Sequence, residues 1–243
     1  MLVMSSSLGT TRAMWESQYT LQSQYSLLLY DHRGHGASPA PDGPYSIAEL
    51  ADDVIHLLDS LGVDSVSFCG LSLGGMVGLW LAAHHPKRIE RLVAMCALAR
   101  LEPVSRYADR ASAVRERGLG PIADDVVSRW FTPGFAESHP STVNDYIATL
   151  AALSAEGYAS CCDAIATCDL RGDIRRIDAP TLLVAGAEDP VVSPESAVLF
   201  GASFSEATVA VVPDAAHLVN VEQPGLVNRL VLEHMAGRTG ELA

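Results

Sequence analysis

The segment from Val66 to His84 leaves its backbone little choice. A short apolar run, Val66–Cys69, leads into Gly70-Leu71-Ser72-Leu73-Gly74-Gly75, and a helical pattern, Leu73–His84, starts inside that string. No residues remain for a loop, so a strand must turn into a helix at once. Such a turn forces its central residue into strained backbone geometry, and the glycines on either side remove side chains that would collide. The hydroxyl of Ser72 then stands at the tip of the turn, beside the positive end of a helix.

The remainder of the chain repeats this unit. Leu2–Met4, Ser26–Tyr30, Arg91–Cys96, Thr181–Gly186 and Thr208–Val212 read as short strands of nearly continuous apolar character, the pattern of strands covered on both faces. Ser46 and Glu49 make a capping box before Ile47, Leu50, Ala51, Val54, Leu58 and Leu61, and Gly62 stops that helix. Ser193-Pro194 opens another helix, and Pro224 opens the last one, Leu226–Met235. Alternating strands and helices predict an α/β fold, a mostly parallel sheet with helices on both faces. With 243 residues, 49% of them apolar, the chain can bury such a sheet without disulfide or metal staples.

From Ala99 to Asp169 the alternation stops. The patterns Ile122–Trp130, Val143–Leu153 and Tyr158–Cys168 are helical and no strand interrupts them. The expected organisation is a core of residues 1–98 and 170–243, with residues 99–169 inserted as an all-helical cap.

The formal net charge of −13 argues against nucleic acid or an anionic membrane surface as a partner, and an anionic substrate would need a local cation. Cys69, Cys96, Cys161, Cys162 and Cys168 are odd in number and match no zinc spacing. They are expected to be buried thiols in a reducing compartment, with no metal. No apolar run is long enough to span a bilayer and Met1–Gln22 has no leader pattern, so a soluble, cytoplasmic protein is expected.

A serine hydroxyl becomes a nucleophile only when a base takes its proton and a third group orients that base. His217 follows the strand Thr208–Val212, on the sheet edge where Ser72 lies, whereas His56, His84, His85 and His234 fall in or at the ends of helices. Asp189 follows Thr181–Gly186 on the same edge; Glu188, one residue earlier, is its rival. No carboxylate follows Arg91–Cys96 before Glu102.

The elbow, the acid loop and the histidine loop together resemble the α/β-hydrolases, whose triads run in the order Ser, Asp, His. More narrowly the chain resembles the 3-oxoadipate enol-lactone hydrolases of aromatic catabolism, in the beta-ketoadipate pathway. The strings that carry this likeness are Ser7-Leu8-Gly9-Thr10, Asp31-x-Arg33-Gly34-x-Gly36-x-Ser38, the elbow through Met76, Arg129-Trp130-Phe131-Thr132-Pro133-Gly134-Phe135, Glu156-Gly157-Tyr158-x-x-Cys161-Cys162, and Ala215-Ala216-His217-Leu218-x-Asn220-x-Glu222-Gln223-Pro224. The resemblance implies a cofactor-free serine hydrolase that opens a small lactone through an acyl-enzyme, with oxyanion donors from Leu73 and Leu8. Trp130 is then a candidate pocket roof and Arg129 a candidate partner for a substrate carboxylate. His32 and His35 take structural places, and Arg33 braces its loop. A related carboxylesterase, a carbon–carbon bond hydrolase, a perhydrolase or a ligand-binding member of the fold stay open as alternatives, as does the oligomeric state. Relatives carry two further leading strands before the one at Leu2–Met4, so a late-starting chain with an incomplete sheet edge is expected.

Overall fold

The computed structural model describes residues 1–238. Its strands are β1 (Leu2–Ser5), β2 (Leu27–Leu29), β3 (Val66–Leu71), β4 (Ile89–Met95), β5 (Thr181–Gly186) and β6 (Ala207–Val212). They form one sheet in the order β2-β1-β3-β4-β5-β6, with every neighbouring pair parallel. Strands β1, β3 and β5 are buried along their whole length, which is why their sequences are apolar without alternation. The outer strands β2 and β6 are only partly covered.

Helix α1 (Ile47–Ser60) begins at the expected capping box: the Ser46 hydroxyl accepts the Glu49 N–H at 3.2 Å, and the Glu49 carboxylate accepts the Ser46 N–H at 2.8 Å. Ile47, Leu50, Ala51, Val54 and Leu58 form its buried face. Leu61, placed on that face by spacing, lies past the last helical turn and is exposed. Helix α2 (Leu73–His84) is apolar all round because it is packed between β3, β4 and α1.

Five helices lie between β4 and β5: α3 (Ser105–Arg117), α4 (Gly120–Val127), α5 (Pro133–Ser138), α6 (Pro140–Ala151) and α7 (Ala155–Thr167). Helix α3 is hard to read in the sequence because only Tyr107, Ala111 and Val114 face inward, toward α7, on a strongly charged helix. The helix expected over Ile122–Trp130 ends at Val127 instead. Thr132 precedes Pro133, which disfavours helical backbone there, and Thr132 is extended and caps α5 by accepting the Phe135 N–H. Residues 128–132 therefore cross between α4 and α5 as irregular chain. After β5 come α8 (Pro194–Gly201), then beyond β6 the short α9 (Val219–Glu222) and α10 (Pro224–Met235).

All five cysteines are buried and unpaired. Among the described residues no helix is long and apolar enough to cross a membrane.

Candidate active site

Ser72 sits between β3 and α2 with φ +55° and ψ −113°. A side-chain-bearing residue held there stores strain of about 1–3 kcal/mol. Backbone packing enforces it. A Cβ on Gly70 would come within 2.1 Å of the Gly74 carbonyl oxygen, and one on Gly74 within 2.2 Å of the Ser5 carbonyl oxygen. The Ser72 N–H donates to the Met95 carbonyl at 2.8 Å, which ties the turn to β4.

The acid and histidine loops close on each other beside this turn. Ala187 N–H donates to Val212 and Glu188 N–H to Ala215, both at 2.9 Å, and Gly186 packs so tightly against Ala216 that no side chain would fit. This zipper places Asp189 against His217. The His217 Nδ1–H donates to Asp189 Oδ2 at 2.8 Å, while Asp189 Oδ1 accepts the Val191 N–H at 2.7 Å. Both side chains are buried. Glu188 is exposed. With its proton on Nδ1, His217 keeps Nε2 free as an acceptor, and His217 lines the same pocket as Ser72.

The loop Ser6–Thr10 forms the other side of this pocket, through Ser7 and Leu8. Two histidines with no evident task in the sequence hold it. His35 Nε2 accepts the Gly9 N–H at 3.0 Å, with its other nitrogen against the Arg33 carbonyl, and His32 Nε2 lies 3.1 Å from the Ser6 carbonyl. Burial holds both imidazoles neutral, His35 down to about 4 and His32 to about 3; buried His234 is likewise lowered to about 4. Unfolded histidine takes its proton near pH 6.5, so below that the unfolded chain binds more protons than the folded one. Stability therefore falls as pH drops from about 6.5 toward 4, with three imidazoles contributing roughly 4 kcal/mol per pH unit at most. Thermal melts from pH 8 to 4.5 should show a flat upper range and then a steep decline; His35→Gln, which cannot take up a proton, should show a shallower one.

The Asp31–Ser38 loop is held in turn by its neighbours. Arg33 binds Asp53 through two nitrogens at 2.6 and 2.7 Å, and Gly34 lies against Gly157 of α7 with no room for a Cβ on either. The Glu156-Gly157-Tyr158 string is thus a backbone-to-backbone seam between α7 and the sheet loops.

Over the pocket stand Tyr107, Arg110, Val126, Arg129, Trp130 and Tyr158. Trp130 is buried and meets Tyr146 edge-on at 6.0 Å. Arg129 reaches the pocket, but its guanidinium is held by both oxygens of Asp125, at 2.7 and 2.9 Å. Arg110, which sequence reasoning did not single out, is different. Its guanidinium lies 5.4 Å above the Tyr107 ring and 3.4 Å from the Tyr158 hydroxyl, and among the described residues no carboxylate neutralises it. Nothing in the local sequence of α3 marks this arginine apart from its neighbours.

Among the described residues, Cys96, Asp189 and His217 form a cluster whose donor atoms lie within 4.8 Å of one another. Asp189 and His217 already satisfy each other, and burial pushes the Cys96 thiol well up, so it stays protonated. The cluster fits an acid–base pair with a neutral thiol behind it better than a metal site.

The model of the alpha/beta hydrolase fold family matches residues 2–224. The 3-oxoadipate enol-lactonase 2 of Acinetobacter baylyi is 44% identical over 231 residues, 95% of this chain and 86% of that protein. The crystal structure of the enol-lactonase from Burkholderia xenovorans LB400 superposes with a TM-score of 0.94 at 36% identity, covering 97% of this chain and 90% of that one. A thermophilic esterase from Thermogutta terrifontis superposes at 0.92 with 25% identity, covering 98% and 90%. A strained strand–helix turn at Ser72, a buried histidine–aspartate pair and similarity over 95% of the chain place it in the α/β-hydrolase family, with the 3-oxoadipate enol-lactonases.

Proposed function

We propose that the protein opens 3-oxoadipate enol-lactone to 3-oxoadipate through a serine acyl-enzyme, without a cofactor. The observation that carries this reading is the convergence of Ser72, the Asp189–His217 pair and the uncommitted Arg110 on one pocket.

His217 Nε2 takes the Ser72 proton as Oγ attacks the ring carbonyl, while Asp189 holds the imidazole and stabilises its charged form. The N–H groups of Leu73 and Leu8 receive the developing oxyanion; loss of one such donor typically costs about 3 kcal/mol of barrier. Collapse of the intermediate breaks the ring ester bond and expels the enol oxygen, which takes the proton from His217. That enol tautomerises to the ketone. Water, deprotonated by His217, then attacks the acyl carbon and releases Ser72. The one free carboxylate of the lactone binds Arg110, a cation of the kind that a strongly acidic protein needs to hold an anion. Trp130 roofs the ring. Buried, unpaired cysteines fit a reducing, cytoplasmic setting.

The test is decay of the enol-lactone ultraviolet absorbance against hydrolysis of a neutral aryl acetate. A kcat/KM for the lactone orders of magnitude above that for the acetate supports the reading; parity favours a general carboxylesterase. Arg110→Gln should lower kcat/KM for the lactone by about 30-fold, the equivalent of one charge-assisted hydrogen bond of about 2 kcal/mol, and leave the acetate nearly untouched. Arg129→Gln should change neither by more than about threefold, as an exposed ion pair predicts. Equal losses on both substrates for Arg110→Gln would remove it from carboxylate binding.

A further inference from the structure

The sequence places Glu222 five residues after His217, on the four-residue helix α9, and gives it no task in the reaction. In the fold its carboxylate is buried and fully engaged. One oxygen accepts the Ala216 N–H at 2.6 Å, and the other accepts both the N–H and the hydroxyl of Thr132, at 2.9 and 2.8 Å. A buried carboxylate is tolerated only when donors surround it in this way.

What matters is where the two sets of donors come from. Ala216 precedes His217, and Thr132 belongs to the irregular crossing at residues 128–132 that carries Arg129 and Trp130 over the pocket. A second link runs alongside: Leu218 N–H donates to the Trp130 carbonyl at 2.9 Å. The residues on both sides of His217 are thus fastened to the roof, one through Glu222 and the other directly.

We propose that Glu222 is a positioning residue that fastens the roof segment to the backbone of His217, so that the base and the surface against which substrate packs hold one register. This rests on the assignment of Ser72 and His217 as nucleophile and base. A shift of about 1 Å at a reacting group commonly costs about 100-fold in rate, so a clamp one residue from the base controls rate as well as folding.

The test measures how fast a small neutral p-nitrophenyl phosphonate ester modifies the enzyme, read by p-nitrophenol release. This probe needs the nucleophile and the base but carries no carboxylate for Arg110. Wild-type protein should be modified at Ser72 and Ser72→Ala should not; if wild-type protein is not modified there, the nucleophile assignment itself fails. Given modification, Glu222→Gln should react about tenfold slower or more, because the amide must turn a donor toward one of the two N–H groups. Thr132→Val, which loses the hydroxyl bond to Glu222 and the cap on the Phe135 N–H but keeps the backbone N–H, should react a few-fold slower, and the double variant no slower than Glu222→Gln, since both cut one clamp. Wild-type rates in folded Glu222→Gln and Thr132→Val, whatever their melting temperatures, would overturn the proposal, as would effects that multiply. Should Glu222→Gln not fold, Thr132→Val decides alone, and a wild-type rate in it overturns the clamp.

Discussion

Ser72→Ala is expected to lower kcat for lactone opening by roughly five to six orders of magnitude, leaving only what the oxyanion donors and substrate binding supply. The variant should fold, because alanine at φ +55° carries the same backbone penalty as serine and the side chain is small. Ser72→Gly removes that penalty and should melt above Ser72→Ala, despite the extra freedom glycine gives the unfolded chain. Steady-state assay of the lactone, paired with thermal melts, checks both points. An alanine variant that kept more than a few per cent of the rate would dismiss Ser72 as the nucleophile.

Asp189→Asn should cost about 10⁴-fold in kcat while the protein stays folded. Both carboxylate oxygens are occupied as acceptors, one by Val191 N–H and the other by His217 Nδ1–H. An asparagine must turn its amide nitrogen toward one of these donors. Facing Val191, it sets two N–H groups against each other; facing His217, it forces the imidazole to carry its proton on Nε2, where it can no longer accept one from Ser72. Glu188→Gln is the control. Its carboxylate is exposed, and the variant should retain the full rate. If Glu188→Gln were the crippled variant and Asp189→Asn the active one, the acid would have to be reassigned.

Acceptor and donor counts of this kind are invisible along the chain, yet much of their setting is written there. The elbow was legible because its chemistry is local: a strand, glycines on either side of Ser72 and a helix start within a few residues of one another. The same holds for the capping box at Ser46 and for the parallel sheet, whose continuous apolar runs report burial on both faces. Helix α3 was hard to see since it buries one narrow stripe of three residues, and the Ile122–Trp130 pattern overran because an apolar period continues into Trp130 after the backbone has left the helix. His32 and His35 offered only a loop position, and their grip on the Ser6–Gly9 segment depends on strands far apart in sequence being neighbours.

Residue order along each strand and its following turn dictates the sheet, the strained serine and the loops that carry Asp189 and His217, because those features depend on contacts a few residues long or on burial averaged over a face. Choosing between Arg110 and Arg129 is another matter, since both are arginines in charged stretches of sequence and what separates them is whether a carboxylate stands beside the guanidinium, as Asp125 does for Arg129. The same is true of Glu222, whose partners at Thr132 and Ala216 meet only after the inserted helices have folded back onto the sheet. Charge neutralisation and hydrogen-bond satisfaction are properties of atoms brought together in space, and no pattern within either segment encodes them alone.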